Sequence, residues 1–342
     1  MGYVGPGVIE QLRFSYPGAV LVGYDMGYFA SNLADAEVLP ECRADLQYLA
    51  DVRAVPDEVL NGVDAVVHLA AISNDPMGNR HEEITMDINY RASIELAVKA
   101  KRAGVRSFVF ASSCSVYGFA EEGARTESSE VNPLTAYARS KVFTERALRE
   151  LADNNFIVTS LRFATACGMS PRLRLDLVLN DFVAGAISSG KITILSDGTP
   201  WRPLINVKDM ARAIDWALVR EVSCGGPYLV LNAGSDAWNY QVKELAEAVA
   251  RLIPGVDVSI NRDAQPDKRS YKVDFSLFKT LAPANQPEYD LNQTICNLRD
   301  RLSVMGFNDQ DFRNSRFIRL KVLEYLENAG LLTERLGWIF KP

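Results

Sequence analysis

Five short apolar runs recur along the chain: AVLVGYD (19–25), DAVVHLAA (64–71), SFVFASS (107–113), FIVTSLRF (156–163) and YLVLNAG (228–234). A strand that is apolar at nearly every position is buried on both faces, which happens when helices cover a parallel sheet on each side. Between the runs lie stretches with helical spacing, INYRASIELAVKAKRAG (88–104) and TAYARSKVFTERALRELA (135–152). Strand and helix patterns in alternation predict βαβ units, hence an α/β chain built on a doubly wound parallel sheet.

The pattern loosens after about residue 165, where CGMSPRLRLDLVLN and LSDGTPWRPLINVKD read as long loops around a helix. From about residue 235 helices such as YQVKELAEAVARLI and RFIRLKVLEYLENAG dominate. The expected division is a nucleotide-type domain over residues 1–165, to which 205–235 return, and a smaller mixed α/β domain formed by 166–204 and 236–342. No internal repeat or low-complexity tract is present.

Composition narrows the partners. A net charge of −6 lacks the basic balance of a nucleic-acid footprint. No apolar run approaches the roughly 18 residues of a membrane span, and the N-terminal stretch lacks a signal-peptide layout; a cytoplasmic protein acting on small molecules is expected. Five scattered cysteines without CxxC spacing indicate neither a disulfide framework nor zinc, and two histidines leave little for a metal site or a Ser-His-Asp triad. His68, inside DAVVHLAA, reads as a strand histidine satisfied locally.

The chain opens on MGYVGPGVIEQL. Glycines ahead of a helix let backbone approach a phosphate, and the helix N-terminus favours the negative charge. Gly2 and Gly5 have this placement, with Tyr3 and Val4 between them. Asp25 ends the run AVLVGYD twenty residues beyond Gly5. An acidic residue there suits a ribose 2′-hydroxyl and repels a 2′-phosphate, so NAD is expected over NADP.

TAYARSK places Tyr137 and Lys141 four residues apart, on one face of a helix. A lysine ammonium and a positively charged nicotinamide ring together stabilise a phenolate, which makes the tyrosine a general base. Upstream, FVFASSCSVYG ends a buried strand in hydroxyl-bearing residues at the edge where parallel sheets bind ligands. Ser113 or Ser115 is placed to align a reacting oxygen with Tyr137.

With these motifs in order, the chain resembles the extended short-chain dehydrogenase/reductases, specifically the NAD-dependent epimerase/dehydratase group acting on nucleotide sugars. The resemblance runs over essentially the whole length and implies a Rossmann-like fold with NAD as cofactor. By that resemblance GYVG looks like the later part of a GxxGxxG turn, with Gly2 and Gly5 as its second and third glycines. Asp25 matches the ribose-binding acid, and Asp51 and Val52 the pair beside adenine. Leu69, Ala70 and Ala71 run along the cofactor, which Tyr3, Val4, Ala111 and Ala164 also line. Asn89 matches the asparagine that steadies the strand end at the active site, and Ser113, Tyr137 and Lys141 match the catalytic triad. Asn180, Arg202 and Arg269 fall where the family grips the nucleotide diphosphate, a job suited to bidentate guanidinium forks; Ser115 and Thr165 lie toward the sugar.

The resemblance also bears on the reaction. Dehydratases of the group commonly carry Asp or Glu just after the active-site Ser/Thr, for eliminating water. This chain has Cys114 and Ser115 there. Double epimerases would place their acid/base cysteine at Ser115, and Cys114 reads as a buried strand residue. The stretch SSCSVYG looks most like the 4-epimerases, which oxidise C4, let the 4-keto sugar turn over and return the hydride. Thr165 and Pro203 stand where those enzymes usually have Asn and Asp, which concerns the sugar and base rather than the chemistry. The alternatives are a nucleotide-sugar dehydrogenase, 4-ketosugar reductase or dehydratase on the same fold, and a non-catalytic NAD-binding regulatory protein. The helical stretches 88–104 and 135–152 resemble a family dimer interface, so a homodimer is expected. Measured against the family, the opening lacks about ten residues, the first strand and first glycine. The expectation is that Met1 is an internal methionine of a longer protein, and codons upstream of Met1 test it.

Overall fold

A computed structural model describes residues 1–261 and 270–339. The chain enters at α1 (Gly5–Ser15), with Pro6 in its first turn where no amide hydrogen is needed. There follow β1 (Val22–Asp25), β2 (Leu46–Leu49) and β3 (Ala65–His68). Short helices α2 (Asp75–Arg80) and α3 (Glu82–Met86) lead through a π-turn at Asp87–Arg91 into α4 (Ala92–Arg102). Next come β4 (Ser107–Ser113), β5 (Phe119–Arg125), α5 (Ala136–Leu151) and β6 (Ile157–Phe163).

β3, β4, β6 and β10 (Tyr228–Ala233) pair in parallel, in the spatial order β10-β6-β4-β3. Side chains alternate across this sheet as the pleat requires. Phe108 and Phe110 of β4 join Leu96, Ala97 and Leu148 on the face covered by α4 and α5. Val109 instead meets Val8 of α1 and Met210 and Ile214 of α7 (Val207–Leu218) on the other face. Helices thus cover both faces, the doubly wound arrangement the apolar runs predict.

The expected single sheet is interrupted. β1 and β2 form a separate parallel pair, and among the described residues neither β1 nor the outer edge of β3 has a strand between them. Val22 on β1 and Leu46 and Leu49 on β2 are exposed.

The second half is less loop-like than expected. β7 (Thr165–Cys167) precedes α6 (Val178–Ser189) and β8 (Lys191–Ile194), and WRPLIN forms β9 (Trp201–Asn206) between β7 and β11 (Asn239–Gln241). α8 (Val242–Leu252) leads to β12 (Asp257–Ile260), which pairs with β8, and β13 (Ser270–Val273), which pairs with β5. α9 (Ser276–Leu281), α10 (Leu291–Val304) and α11 (Arg319–Asn328) complete the chain. α6, α8 and α10 enclose one core. Packing crosses the expected division: Tyr271, Val273, Phe275 and Phe278 enter the core beneath the main sheet, and Val322, Leu323 and Leu336 pack on Ile72, Met77 and Ile88.

Candidate active site

α5 starts cleanly because Thr135 caps it, its hydroxyl oxygen accepting from the Ala138 amide at 3.2 Å. The same hydroxyl donates to Asp75 Oδ1 at 2.6 Å, fixing the helix start against α2. Tyr137 and Lys141 then occupy successive turns of one face, over the end of β4. The Ser113 side chain lies close enough to the Tyr137 phenol to favour its ionised form. Lys141 Nζ lies 5.5 Å from the Tyr137 ring centroid and donates to the Ala111 carbonyl at 2.7 Å. The structure therefore brings Ser113, Tyr137, Lys141 and Ala111 together. Ser115 sits one short turn further, its amide donating to Ser113 Oγ at 3.1 Å.

The electrostatics of this cluster are set by burial. Burial pushes the Tyr137 phenol up to about 12, Ser113 and Arg174 pulling it down and Asp75 pushing it up. Burial also brings Lys141 down to about 7, with Glu145 one turn further on opposing the shift. His68 ends β3 between the Phe108 and Phe110 rings, its Nε2 2.7 Å from Ser93 Oγ. Burial and the Lys141 charge hold it down to about 3, so it is a neutral, locally satisfied strand histidine. Cys114 is buried as expected, but it opens a 3-10 turn (Cys114–Tyr117) rather than lying in the strand. The chain bends there because Ser113 Oγ caps the turn.

Asn89 steadies the loop after β3 from the π-turn. It accepts from the Ile72 amide at 2.8 Å and donates to the Ile72 carbonyl at 3.0 Å. Its own carbonyl, freed from regular helical pairing, accepts from Ser93 and Thr144. The loop it holds carries Leu69, Ala70 and Ala71. Asp25 lies at the carboxyl end of β1, where its Oδ1 accepts from the Gly27 amide at 2.7 Å, and Asp51 caps the turn that begins at Val52. Gly2, Tyr3 and Val4 lead into α1, which Gly5 opens and which has no side-chain cap on its N-terminal amides. Uncapped amides, glycines and acids at the carboxyl edge of parallel strands fit a dinucleotide. Ala164 is buried, its amide donating to the Ala233 carbonyl at 3.1 Å, and Thr165 beside it is half-buried.

The expected diphosphate residues are distributed differently. Asn180 is fully buried and bonds within the protein: it accepts from the Gly168 amide and donates to the Arg174 carbonyl and the Tyr3 hydroxyl. Arg202 is half-buried on β9, donating to the Trp201 carbonyl, and Arg269 lies outside the described residues. The sequence reading missed Arg174, whose Nη1 is 3.1 Å from Ser73 Oγ and whose Nε is 2.8 Å from Asp176 Oδ1. The signal was present in SPRLRLD, two arginines in a loop directly after a strand at the ligand-binding edge. Also missed was the clamp of Ser112, Glu145 and Arg162, in which Glu145 on α5 accepts from both the β4 serine and the β6 arginine.

Residues 1–234 match the family model described as the NAD dependent epimerase/dehydratase family. The chain belongs to this NAD-dependent family. Among curated relatives it is 26% identical over 262 residues to a UDP-glucose 4-epimerase of Bacillus subtilis (strain 168), covering 68% of each chain. It is 27% identical over 279 residues to a dTDP-glucose 4,6-dehydratase of Streptomyces griseus, covering 80% of this chain and 83% of the relative. Among solved structures, a UDP-glucose-4-epimerase from Stenotrophomonas maltophila with bound NAD superposes with a TM-score of 0.75 at 23% identity, over 89% of this chain and 96% of that one. The NAD-dependent NDP-hexosamine 5,6-dehydratase TunA gives 0.76 at 20% identity, over 91% and 96%. These likenesses establish the Rossmann-type fold. No helix among the described residues is long and apolar enough to cross a membrane.

Proposed function

We propose that the chain is a nucleotide-sugar 4-epimerase working through a 4-keto sugar. The observation that carries this reading is the joined Ser113–Tyr137–Lys141 cluster with no carboxyl group at Cys114 or Ser115. Bound NAD would supply the hydride acceptor. Tyr137 takes the proton of the sugar 4-hydroxyl as general base, and Ser113 holds that oxygen against the phenol. Lys141, anchored on Ala111, supplies positive charge beside the phenolate, which the apo site disfavours through burial. Asp75, whose charge acts on Tyr137, accepts from Thr135, and Asp176 is paired with Arg174. A reaction that needs only one proton shuttle is the better match.

The test is to incubate the purified protein with a panel of UDP- and dTDP-sugars and follow epimer ratio, water loss and absorbance of reduced cofactor. Conversion of a sugar pair to equilibrium without net NADH is expected, and Tyr137→Phe should lower kcat by about 10²–10⁴-fold with NAD binding retained. Stoichiometric NADH would instead indicate a dehydrogenase, and a 4-keto-6-deoxy product a dehydratase.

A homodimer is part of the proposal. α4 and α5 lie side by side, and Val98 and Phe143 on them are exposed, with Tyr90 edge-on to Phe143. An apolar two-helix face of this kind suits burial against its own copy. Light scattering should give twice the chain mass, falling toward the monomer in Val98→Asp/Phe143→Asp.

A further inference from the structure

The strand register sets Ser112 of β4 opposite Arg162 of β6, and Arg162 opposite Asn232 of β10. Residues paired across neighbouring strands share a face, so three polar side chains form one row across the sheet. None of the three is more than 6% exposed. Glu145 of α5 closes the row from the helix layer. Its Oε1 accepts from Ser112 Oγ, and its two oxygens take the Arg162 fork, from Nε at 3.0 Å and from Nη2 at 2.7 Å. The remaining nitrogen, Nη1, donates to the Tyr117 hydroxyl at 3.0 Å, which donates to Asn232 Oδ1 at 2.6 Å. The Asn232 amide donates in turn to Glu127 Oε1 at 2.8 Å.

A buried ion pair is weak evidence for stability, because desolvation offsets much of the attraction and apolar residues of similar volume often serve as well. What a forked guanidinium and a carboxylate supply is direction. Here the links run to segments that carry the reacting groups. Ser112 adjoins Ser113, and Tyr117 ends the 3-10 turn that starts beside Ser113 and contains Ser115. Glu145 lies one turn beyond Lys141 and two beyond Tyr137 on α5. The Tyr228 hydroxyl donates to the Glu145 carbonyl at 2.7 Å, which ties that turn of the helix to β10. The mechanism uses none of these side chains, yet three of them stand next to groups that it does use.

We propose that Glu145 is a positioning residue: through the Ser112–Arg162–Asn232 row it sets the end of β4 against α5, and with it Ser113 against Tyr137 and Lys141. The role rests on the nucleotide-sugar reading for the reaction it serves. Groups carried on two separate elements lose rate steeply when the elements shift, by about 10²-fold for about 1 Å. A carboxylate that joins both elements at one point limits that shift.

Glu145→Met/Arg162→Met removes both charges together and leaves apolar side chains of similar size, so the protein should stay folded with a Tm close to that of the wild type. With a sugar nucleotide that the wild type turns over, kcat should fall about 10–100-fold while KM and NAD retention hold within about twofold. Wild-type kcat in the folded double variant overturns the role. Glu145 also acts by its field on Lys141, which is faced by Tyr137 on the same helix, by His68 from β3 and by the Phe110 ring and Ala111 carbonyl of β4. The pH profile separates the two effects. Misplacement lowers kcat by the same factor at every pH, whereas a changed proton affinity of Lys141 makes the factor vary with pH. A constant factor is expected, and a varying one overturns positioning. If the double variant does not fold, Ser112→Ala decides, since it keeps the ion pair and cuts only its link beside Ser113. Its kcat should fall about threefold to tenfold at unchanged KM, and wild-type kcat overturns the role. If the wild type turns over no sugar of the panel, the nucleotide-sugar reading fails by itself and crystal structures decide the positioning. With the sheets superposed, α5 should be displaced against the end of β4 in the double variant or in Ser112→Ala; coincidence with the wild type overturns it.

Discussion

Burying Lys141 against Ala111 takes its ammonium out of water and gives back one carbonyl hydrogen bond, the Tyr137 and Phe110 ring faces, and the field of Glu145 one turn away. Burial wins, and Lys141 falls to about 7 against an ordinary 10.5. Between those values the unfolded chain binds a proton that the folded chain has released, so this residue's contribution to stability rises with pH. Below pH 7 the destabilising cost is fully present, and it begins to fall as the pH passes 7. Lys141→Met should therefore gain on the wild type near pH 7, and the difference should shrink toward pH 10 by up to about 1.4 kcal/mol per pH unit. Urea unfolding of both proteins at several pH values measures it. Tyr137, raised to about 12, titrates above the window and His68, near 3, below it. Cysteines and tyrosines that ionise on unfolding act on both proteins alike and cancel in the difference. A parallel pH dependence in the two proteins would show that Lys141 keeps its ordinary proton affinity.

At the scale of elements, what was legible in the sequence follows from how local the cause is. β4 and β6 coincide with the apolar runs 107–113 and 156–163 to within a residue, since two-sided burial leaves a continuous apolar signature. α5 is equally legible, with Thr135 at its cap and Tyr137 and Lys141 one turn apart, so that pair was readable from a single segment, while Ser113 comes from the end of β4. β9 was not: Pro203 removes an amide and makes WRPLIN look like loop, while the strands that hold it, β7 and β11, come from distant stretches. The π-turn that frees the Asn89 carbonyl was invisible as well: no glycine or proline marks Asp87–Arg91, and of the two hydroxyls on that carbonyl the one from Thr144 comes from α5. Arg319 lay furthest from view. It starts an ordinary amphipathic pattern, and only tertiary packing brings it to the loop that holds Arg172 and Arg174.

Across the whole molecule, the C-terminal segment is tied to the loop that follows β1. Trp338 Nε1 donates to the Met26 carbonyl at 2.6 Å, the Tyr28 hydroxyl donates to the Leu336 carbonyl, and Arg335 pairs with Asp87 at 2.9 Å. Met26 and Tyr28 lie within three residues of Asp25, the residue expected at the ribose, so this contact sits at the carboxyl end of β1. Leu336 is the hinge of the contact: its side chain is fully buried, and its φ of 58° is one that side-chain-bearing residues avoid at a cost of roughly 1–2 kcal/mol. Leu336→Ala should lose about 2–5 kcal/mol through the cavity it leaves, with the backbone strain unchanged. Leu336→Gly deletes one carbon more but relieves that strain, so it should be at least as stable as the alanine variant, the reverse of the usual order. Chemical denaturation ranks the three proteins, and NAD content after gel filtration shows whether loosening the segment releases cofactor. Stable variants that retain NAD as well as the wild type would mean that the segment only covers apolar surface; loss of NAD from folded variants would make it a working wall of the cofactor site.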